Sequence, residues 1–375
     1  MSKIRIAFVN GIWQLCMVVA GFQQSHQVGS QDFLVIYTRR TGNQELVQFV
    51  EMISSKFWNW AGIILLDWNP SEWDKQLQQD RQRAVQSVLS QFNLANSAAV
   101  DELWLCKIQF LDERLFADIF ERAQIVLYED GLHSYTEIKF LASLPNLDFS
   151  CPKSTVVQCQ NFARNILHKK FDWMHEGVKR SHLRRVQKFY SVLGTQIAIP
   201  DVLRGIAVEQ IKADGLKTLF SELHHQLNGS FCLDLPILPK KTALLLGSNL
   251  SHLSTFPREL EVSVFADLAQ CLEQQGYLIL WKEHPRSQRP LFEDIQKSLK
   301  SDAFYCLADE QKMPIEVLIA EANIALCCST LSSSLFYLRY IYGIQTASCV
   351  KPLLPYLKGD FYQLAELTLA KIGEL

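Results

Sequence analysis

The chain has 375 residues, long enough for two cores of ordinary size, and its 48% hydrophobic and 20% charged content excludes a disordered chain. A net charge of -2 excludes the strongly basic footprint of a duplex-binding protein, so any anion binding must be local. Ten cysteines lie inside apolar runs such as Leu103-Trp104-Leu105-Cys106 and Ala325-Leu326-Cys327-Cys328, the usage of buried free thiols in a reducing compartment. No CxxC pair stands near a second pair or near paired histidines, so no zinc site is expected. The apolar opening that follows Met1-Ser2-Lys3 is too short for a signal sequence, and Leu15 to Phe22 is too short to span a membrane. A cytoplasmic protein is expected.

Residues 4–9 read as a buried strand, apolar but for Arg5, followed by Asn10-Gly11 and an apolar helix from about Trp13. This is the usual opening of a parallel α/β sheet. Residues 33–37 and 62–66 read as further strands, and Leu46, Phe49, Val50 and Ile53 give residues 45–57 a helical period. Residues 74–92 read as a long surface helix with Leu77, Val85, Val88 and Leu89 on one face. A strand at 102–106, a helix at 116–122 and a strand at 124–128 follow, and the last runs into Glu129-Asp130-Gly131. Binding groups of a Rossmann-like sheet gather beyond the carboxyl ends of its strands, where this acidic turn falls. Asp-Gly also makes an ordinary turn, because glycine supplies positive φ. Two adjacent carboxylates repel, however, which raises one pKa toward the range of a base. His133 and Tyr135 stand close behind.

From 161 to 190 the chain turns basic, with Arg164, Lys169, Lys170, Lys179, Arg180, Arg184, Arg185 and Lys188 around Phe171, Trp173 and Met174. Such a segment is a solvated helix face, or a surface that attracts an anionic acceptor or makes a peripheral contact with an anionic membrane. It lacks the aromatic spacing of a nucleic-acid module, so no nucleic-acid partner is expected. Residues 203–227 read as a helix. Pro236 and Pro239 mark 233–241 as a linker between a first domain, 1–232, and a second, 242–375.

The second domain opens with a strand at 242–246 and the loop Gly247-Ser248-Asn249, a type that lets backbone N–H groups approach a ligand. A helix at 259–275, closed by Gly276, leads to the strand 277–280 and to Trp281-Lys282-Glu283-His284-Pro285-Arg286. Lys282 and Arg286 fall on one side of an extended strand end and make it an anion site. The plainer alternative is a hydrogen-bonded loop histidine, with Arg286 paired to Glu283 or Glu293. A strand at 304–307 precedes a helix at 313–320, where Glu316 either bonds a ribose or favours the helix N-terminus. The strand 323–328 ends at Ser329-Thr330, and Ser332-Ser333-Ser334 opens a helix, either as a cap or as a phosphate site. No Walker lysine motif or Asp-x-Asp pair occurs, which favours a metal-independent site. A last helix, 364–375, is able to pack back on either domain.

Taken in order, Trp13-Gln14-Leu15, Tyr128-Glu129-Asp130-Gly131, Lys282-Glu283-His284-Pro285-Arg286, Pro314-Ile315-Glu316 and Ser332-Ser333-Ser334 form a pattern. It resembles the bacterial sialyltransferases of the lipooligosaccharide sialyltransferase and polysialyltransferase group, which share an acidic-acidic-glycine motif, a His-Pro motif and a serine pair in this order. The resemblance implies a GT-B fold, two Rossmann-like domains facing across a cleft, with acceptor on the first and nucleotide on the second. It implies inverting, metal-independent transfer from CMP-sialic acid to a hydroxyl of a glycan acceptor. Glu129 is then the general base and His284 assists the leaving phosphate. Glu316 contacts the nucleotide, and Ser333 and Ser334 hold the phosphate, with Ser329-Thr330 an equally legible match. Gly247, Ser248, Lys282, Pro285 and Arg286 complete the donor side, and Asn10, Gln14, Asp130, Gly131 and His133 the acceptor side. Glu283 departs from this scheme by setting a negative charge beside the phosphate site. Transfer from CMP-Kdo or a CDP-polyol, and a non-catalytic nucleotide- or saccharide-binding protein of the same fold, are the alternatives.

Overall fold

The computed structural model describes residues 3–25, 28–38, 44–67, 83, 86–108, 111–135, 179–228, 241–248, 250, 256–284, 287, 290–299, 303–307 and 313–374. Contacts group the chain into two compact units, Met1–Asp130 with Glu137–Gln210, and Gly131–Thr136 with Ile211–Leu375. The linker expected at 233–241 falls outside the described residues except for Lys241, as does most of the surface helix expected at 74–92.

The first unit is built on seven parallel strands in the order β3-β2-β1-β4-β5-β6-β7. They are β1 (Ile4–Val9), β2 (Gln31–Thr38), β3 (Gly62–Asp67), β4 (Glu102–Leu105), β5 (Gln124–Tyr128), β6 (Val186–Ser191) and β7 (Ala207–Gln210). Helices α1 (Ile12–Gln24), α2 (Gln44–Phe57) and α3 (Leu111–Ile119) belong to this unit. Strand order reverses between β1 and β4, which makes their carboxyl ends the natural ligand position.

Arg5, the one charge in the first strand, is 1% exposed and sits opposite Asp32 in the β1–β2 register. Its Nε and Nη2 donate to the two Asp32 oxygens at 2.6 and 2.7 Å, and its guanidinium lies 4.0 Å from the Phe22 ring centroid. A buried charge is tolerated when it is paired in this bidentate way.

Three elements of this unit differ from expectation. The helix placed at 116–122 starts and ends earlier, at Leu111–Ile119. Strand β6 was hidden in the basic segment, since Gln187 and Lys188 break its apolar pattern and Lys188 instead pairs with Glu209 of β7 at 3.4 Å. The helix placed at 203–227 is a strand, β7, and then a separate helix, α4 (Ala213–Asn228). The described end of the basic segment is spent on structure. Arg185 donates to the carbonyls of Ala117, Phe120 and Ala123 around the end of α3, satisfying groups a helix terminus leaves open. Lys179 and His182 both bond Asp118, at 2.7 and 2.8 Å. The remainder, residues 161–178, lies outside the described residues.

The second unit holds five parallel strands in the order β10-β9-β8-β11-β12: β8 (Thr242–Leu246), β9 (Leu278–Lys282), β10 (Phe304–Cys306), β11 (Leu326–Ser329) and β12 (Gln345–Ser348). With α4 come α5 (Arg258–Gln274), α6 (Phe292–Leu299), α7 (Ile315–Leu318), α8 (Ser334–Tyr342) and α9 (Asp360–Ile372). All five β8 residues are buried, as a central parallel strand requires. Trp281, fully buried on β9, packs edge-on against Phe265 of α5 with ring centroids 4.9 Å apart. Strand β12 escaped the sequence pattern because its Gln-Thr-Ala-Ser run carries little apolar signal. The last helix lies within this unit: Arg339 of α8 donates to the Lys371 carbonyl at 3.1 Å, and Ser348 N–H to the Gly373 carbonyl at 2.9 Å. Among the described residues no helix is long and apolar enough to cross a membrane.

Candidate functional site

In the first unit the candidate residues collect at the carboxyl ends of β1, β4, β5 and β6. Gln14, 4% exposed in the first turn of α1, accepts the Asn10 N–H at 2.6 Å and donates from Nε2 to Cys106 Sγ at 3.2 Å. It thereby ties the turn after β1 to the turn after β4. Cys106 donates to Glu113 Oε1 at 2.9 Å, Tyr37 OH donates to the same oxygen at 3.1 Å, and Lys107 N–H bonds the other one. Tyr128, the last residue of β5, donates its hydroxyl to the Phe8 carbonyl and is fully buried. Burial pushes that phenol well above its ordinary range, and nearby Cys106 and Glu113 add to the rise.

Glu129 follows β5 and is completely buried. Its Oε2 accepts three bonds from the end of β6: Ser191 Oγ at 2.9 Å, Val192 N–H at 2.7 Å and Leu193 N–H at 3.1 Å. Asp130 turns instead to β4, with Oδ2 2.6 Å from Lys107 Nζ. The two neighbouring carboxylates are thus partnered separately, which offsets the repulsion expected from their adjacency. Ser191, Lys107 and Glu113 carry this arrangement, and sequence reasoning passed over all three. Lys107 stood at a strand's carboxyl end and was open to the same rule that picked out Glu129. Ser191 lay in an unread strand, and Glu113 fell before the helix expected at 116–122.

In the second unit the loops after β8, β9 and β11 come together. Gly247 donates its N–H to the Lys282 carbonyl at 2.9 Å, and a Cβ there would lie 2.9 Å from the Trp281 ring and 3.3 Å from Glu283 Oε2. Its missing side chain makes room for that ring. Ser248 is 3% exposed and gives its hydroxyl to the buried Glu261 of α5. Glu283, 1% exposed, accepts the N–H groups of Leu291 and Phe292 on Oε1 at the start of α6. Its negative charge therefore caps a helix, the favoured place for a carboxylate. His284 is partly exposed, and its carbonyl accepts Ser287 N–H at 2.8 Å. Pro285 and Arg286 lie outside the described residues.

The two serine groups differ in setting. Ser329 and Thr330 are fully buried, and Ser329 Oγ donates to the Leu246 carbonyl at 2.8 Å, bracing β11 against β8. Ser332, Ser333 and Ser334 are partly exposed at the start of α8, and Ser332 Oγ accepts Ser334 N–H at 3.2 Å. Glu316, 3% exposed on α7, is hydrogen-bonded to Ser334 and lies within the field of Lys282, itself 4% exposed. Burial pushes its carboxyl above the ordinary range, while Ser334 and Lys282 pull it back. The short segment Gly131–Thr136 groups with this unit. Gly131 has φ 73°, and a Cβ there would meet Ser333 Oγ at 3.3 Å, so only glycine fits without strain. His133 is exposed. Among the described residues no group of three or more His, Cys, Asp or Glu is placed to hold a metal ion.

A model of the alpha-2,8-polysialyltransferase (POLYST) family matches residues 5–351. A search of curated proteins finds no match. Among solved structures, the UDP-GlcNAc 2-epimerase of Methanocaldococcus jannaschii in complex with UDP-GlcNAc and UDP is similar, with TM-score 0.52, 12% identity, and coverage of 100% of this chain and 93% of that one. A second structure of that enzyme gives TM-score 0.50 at 11% identity with the same coverage. A ugt transferase from Siraitia grosvenorii in complex with UDP gives 0.49 at 11% identity, covering 99% and 85%. At such identities the likeness concerns the fold alone, two parallel α/β sheets of the GT-B kind. With the family match spanning nearly its whole length, the chain belongs to the alpha-2,8-polysialyltransferase family and is a glycosyltransferase.

Proposed function

We propose that the protein transfers sialic acid from CMP-sialic acid to a hydroxyl of a glycan acceptor, with inversion and without a metal ion. The observation that carries this reading is Glu129: a buried carboxylate at a strand's carboxyl end, with three donors on one oxygen, in the motif position where the family resemblance puts the base. Those donors fix the carboxylate's orientation, which a proton acceptor for one particular hydroxyl requires.

In the proposed step the acceptor oxygen bonds to the anomeric carbon as the bond from that carbon to the CMP phosphate oxygen breaks. The acceptor proton passes to Glu129, and His284 donates a hydrogen bond or a proton to the departing phosphate. The sugar becomes cation-like on the way, so stabilising the leaving group is the main electrostatic task. Lys282, His284 and the hydroxyls and N–H groups at the start of α8 supply positive potential for it. Their grouping with Glu316 favours Ser332, Ser333 and Ser334 over the buried Ser329 and Thr330 as phosphate ligands. Burial raises the Glu316 carboxyl above its ordinary range, which weakens the preference for a negative charge beside that phosphate.

The test is CMP release by purified enzyme offered CMP-sialic acid and a glycan acceptor, with CMP-Kdo and a CDP-polyol as rival donors and a chelator arm. Turnover with CMP-sialic acid that survives chelation supports the reading. Turnover only with another donor overturns the sialyl assignment, and turnover with none of them overturns the enzymatic one.

A further inference from the structure

We infer that Lys107 and Glu113 act together as positioning residues for the acceptor, by holding Asp130 where it accepts a hydrogen bond from a hydroxyl of the acceptor sugar. The inference rests on the reaction proposed above. Its first support is the cost of Glu113. This carboxylate is 1% exposed, and its partners include a phenol, a thiol and a backbone N–H. A buried carboxylate carries a desolvation cost that apolar packing avoids, and its return is geometric. Here it pins the turn after β4 at Cys106 and Lys107, and Cys106 passes the restraint through Gln14 to Asn10 after β1. Those two turns flank the point where strand order reverses, the expected ligand position of such a sheet.

The second support is the ion pair. Lys107 Nζ lies 2.6 Å from Asp130 Oδ2, with the side chains only 12% and 23% exposed. At that burial the pair restrains both groups more firmly than a surface pair does. With its backbone fixed by Glu113, the lysine offers Asp130 a stationary cation. Asp130 directly follows the proposed base, so a sugar hydroxyl bonded to it sets the acceptor's orientation relative to Glu129. The recognised chemistry is a polyhydroxylated acceptor, and no covalent change occurs at Lys107, Glu113 or Asp130.

The test is a kinetic double-mutant cycle on Lys107→Met, Asp130→Asn and the double variant, with Lys107→Arg as rescue. Each single change is expected to raise the acceptor KM by about tenfold or more with the CMP-sialic acid KM unchanged. The double variant should be no worse than the poorer single one, and Lys107→Arg should recover most of the loss. A silent Lys107→Met, effects that multiply in the double variant, or equal rises in donor and acceptor KM would each overturn the inference. Glu113→Gln should reproduce the acceptor defect, and because Glu113 is buried the cycle on the two more exposed residues stands without it. A Glu129→Gln variant separates the two levels: if it turns over normally, the proposed reaction is wrong. If it is dead while Lys107→Met is silent, only the positioning role is wrong.

Discussion

Glu129 in the first unit and Glu283 in the second are nearly the same local device. Each follows a buried parallel strand, each is at most 1% exposed, and each accepts two consecutive backbone N–H groups on one oxygen. What surrounds them differs. Glu283 bonds the start of α6, and its second oxygen faces Gly247 and has no hydrogen-bond partner. Glu129 adds the Ser191 hydroxyl and is followed by Asp130, which Lys107 neutralises. A strand-end carboxylate is therefore not a base by position or burial. The comparison gives Glu283 the setting of a helix cap, and under the proposed reaction the base is Glu129.

The sharpest way to break that assignment is to remove each charge in turn. Glu129→Gln is expected to lower kcat by about 10²- to 10⁴-fold, the usual worth of a general base, with CMP affinity retained. Glu283→Gln should keep turnover per folded molecule and instead lose about 1–3 kcal/mol of stability in urea denaturation, from weakened capping bonds. A folded, CMP-binding Glu283→Gln protein without turnover would erase the distinction. Gly247→Ala probes the wall behind Glu283: the new methyl meets the immobile Trp281 ring, and a loss of about 1–3 kcal/mol is expected in thermal denaturation.

Two smaller effects concern pH and have opposite signs. Glu316 has a folded pKa above its ordinary 4.5, chiefly through burial, so the folded state holds its proton longer than the unfolded chain does. Stability falls as pH rises from 4.5 to the raised folded value, and a non-titrating Glu316→Gln variant should gain on the wild type across that window. A melting difference that ignores pH would show that burial does not raise this carboxyl's pKa. Asp118 is the reverse case: burial pulls its pKa up, but the bonds from His182 and Lys179 outweigh it and hold it below 3.8. Its contribution is present above that value and lost as pH falls through the depressed one. Because its side chain is 34% exposed, Asp118→Asn should cost under about 1 kcal/mol at neutral pH, measured by chemical denaturation.

Much of the frame is legible in the sequence, because it rests on local patterns. Ile4–Val9, Thr242–Leu246 and Leu278–Lys282 are predominantly apolar runs, and such runs become central parallel strands wherever both faces are covered. The places where those runs stop also mark the candidate residues, since a strand's carboxyl end is a local feature. Elements whose apolar signal is diluted, such as β6 with its Gln187 and Lys188, stayed hidden until neighbouring strands supplied the missing context.

By itself, then, the sequence determined the α/β alternation, the order of the motifs and the family pattern, all of which are properties of residue type and spacing along the chain. Tertiary structure alone decided which buried polar groups pair with which. The buried Glu129 meets Val192 63 positions away, Tyr37 meets Glu113 across 76, and Ser329 meets Leu246 across 83. A buried polar atom must find a partner, and sheet packing chooses that partner with little regard for distance along the chain. That choice turned Glu283 and Ser329 inward to the fold, and brought Lys107 and Glu113 to the strand ends around Glu129.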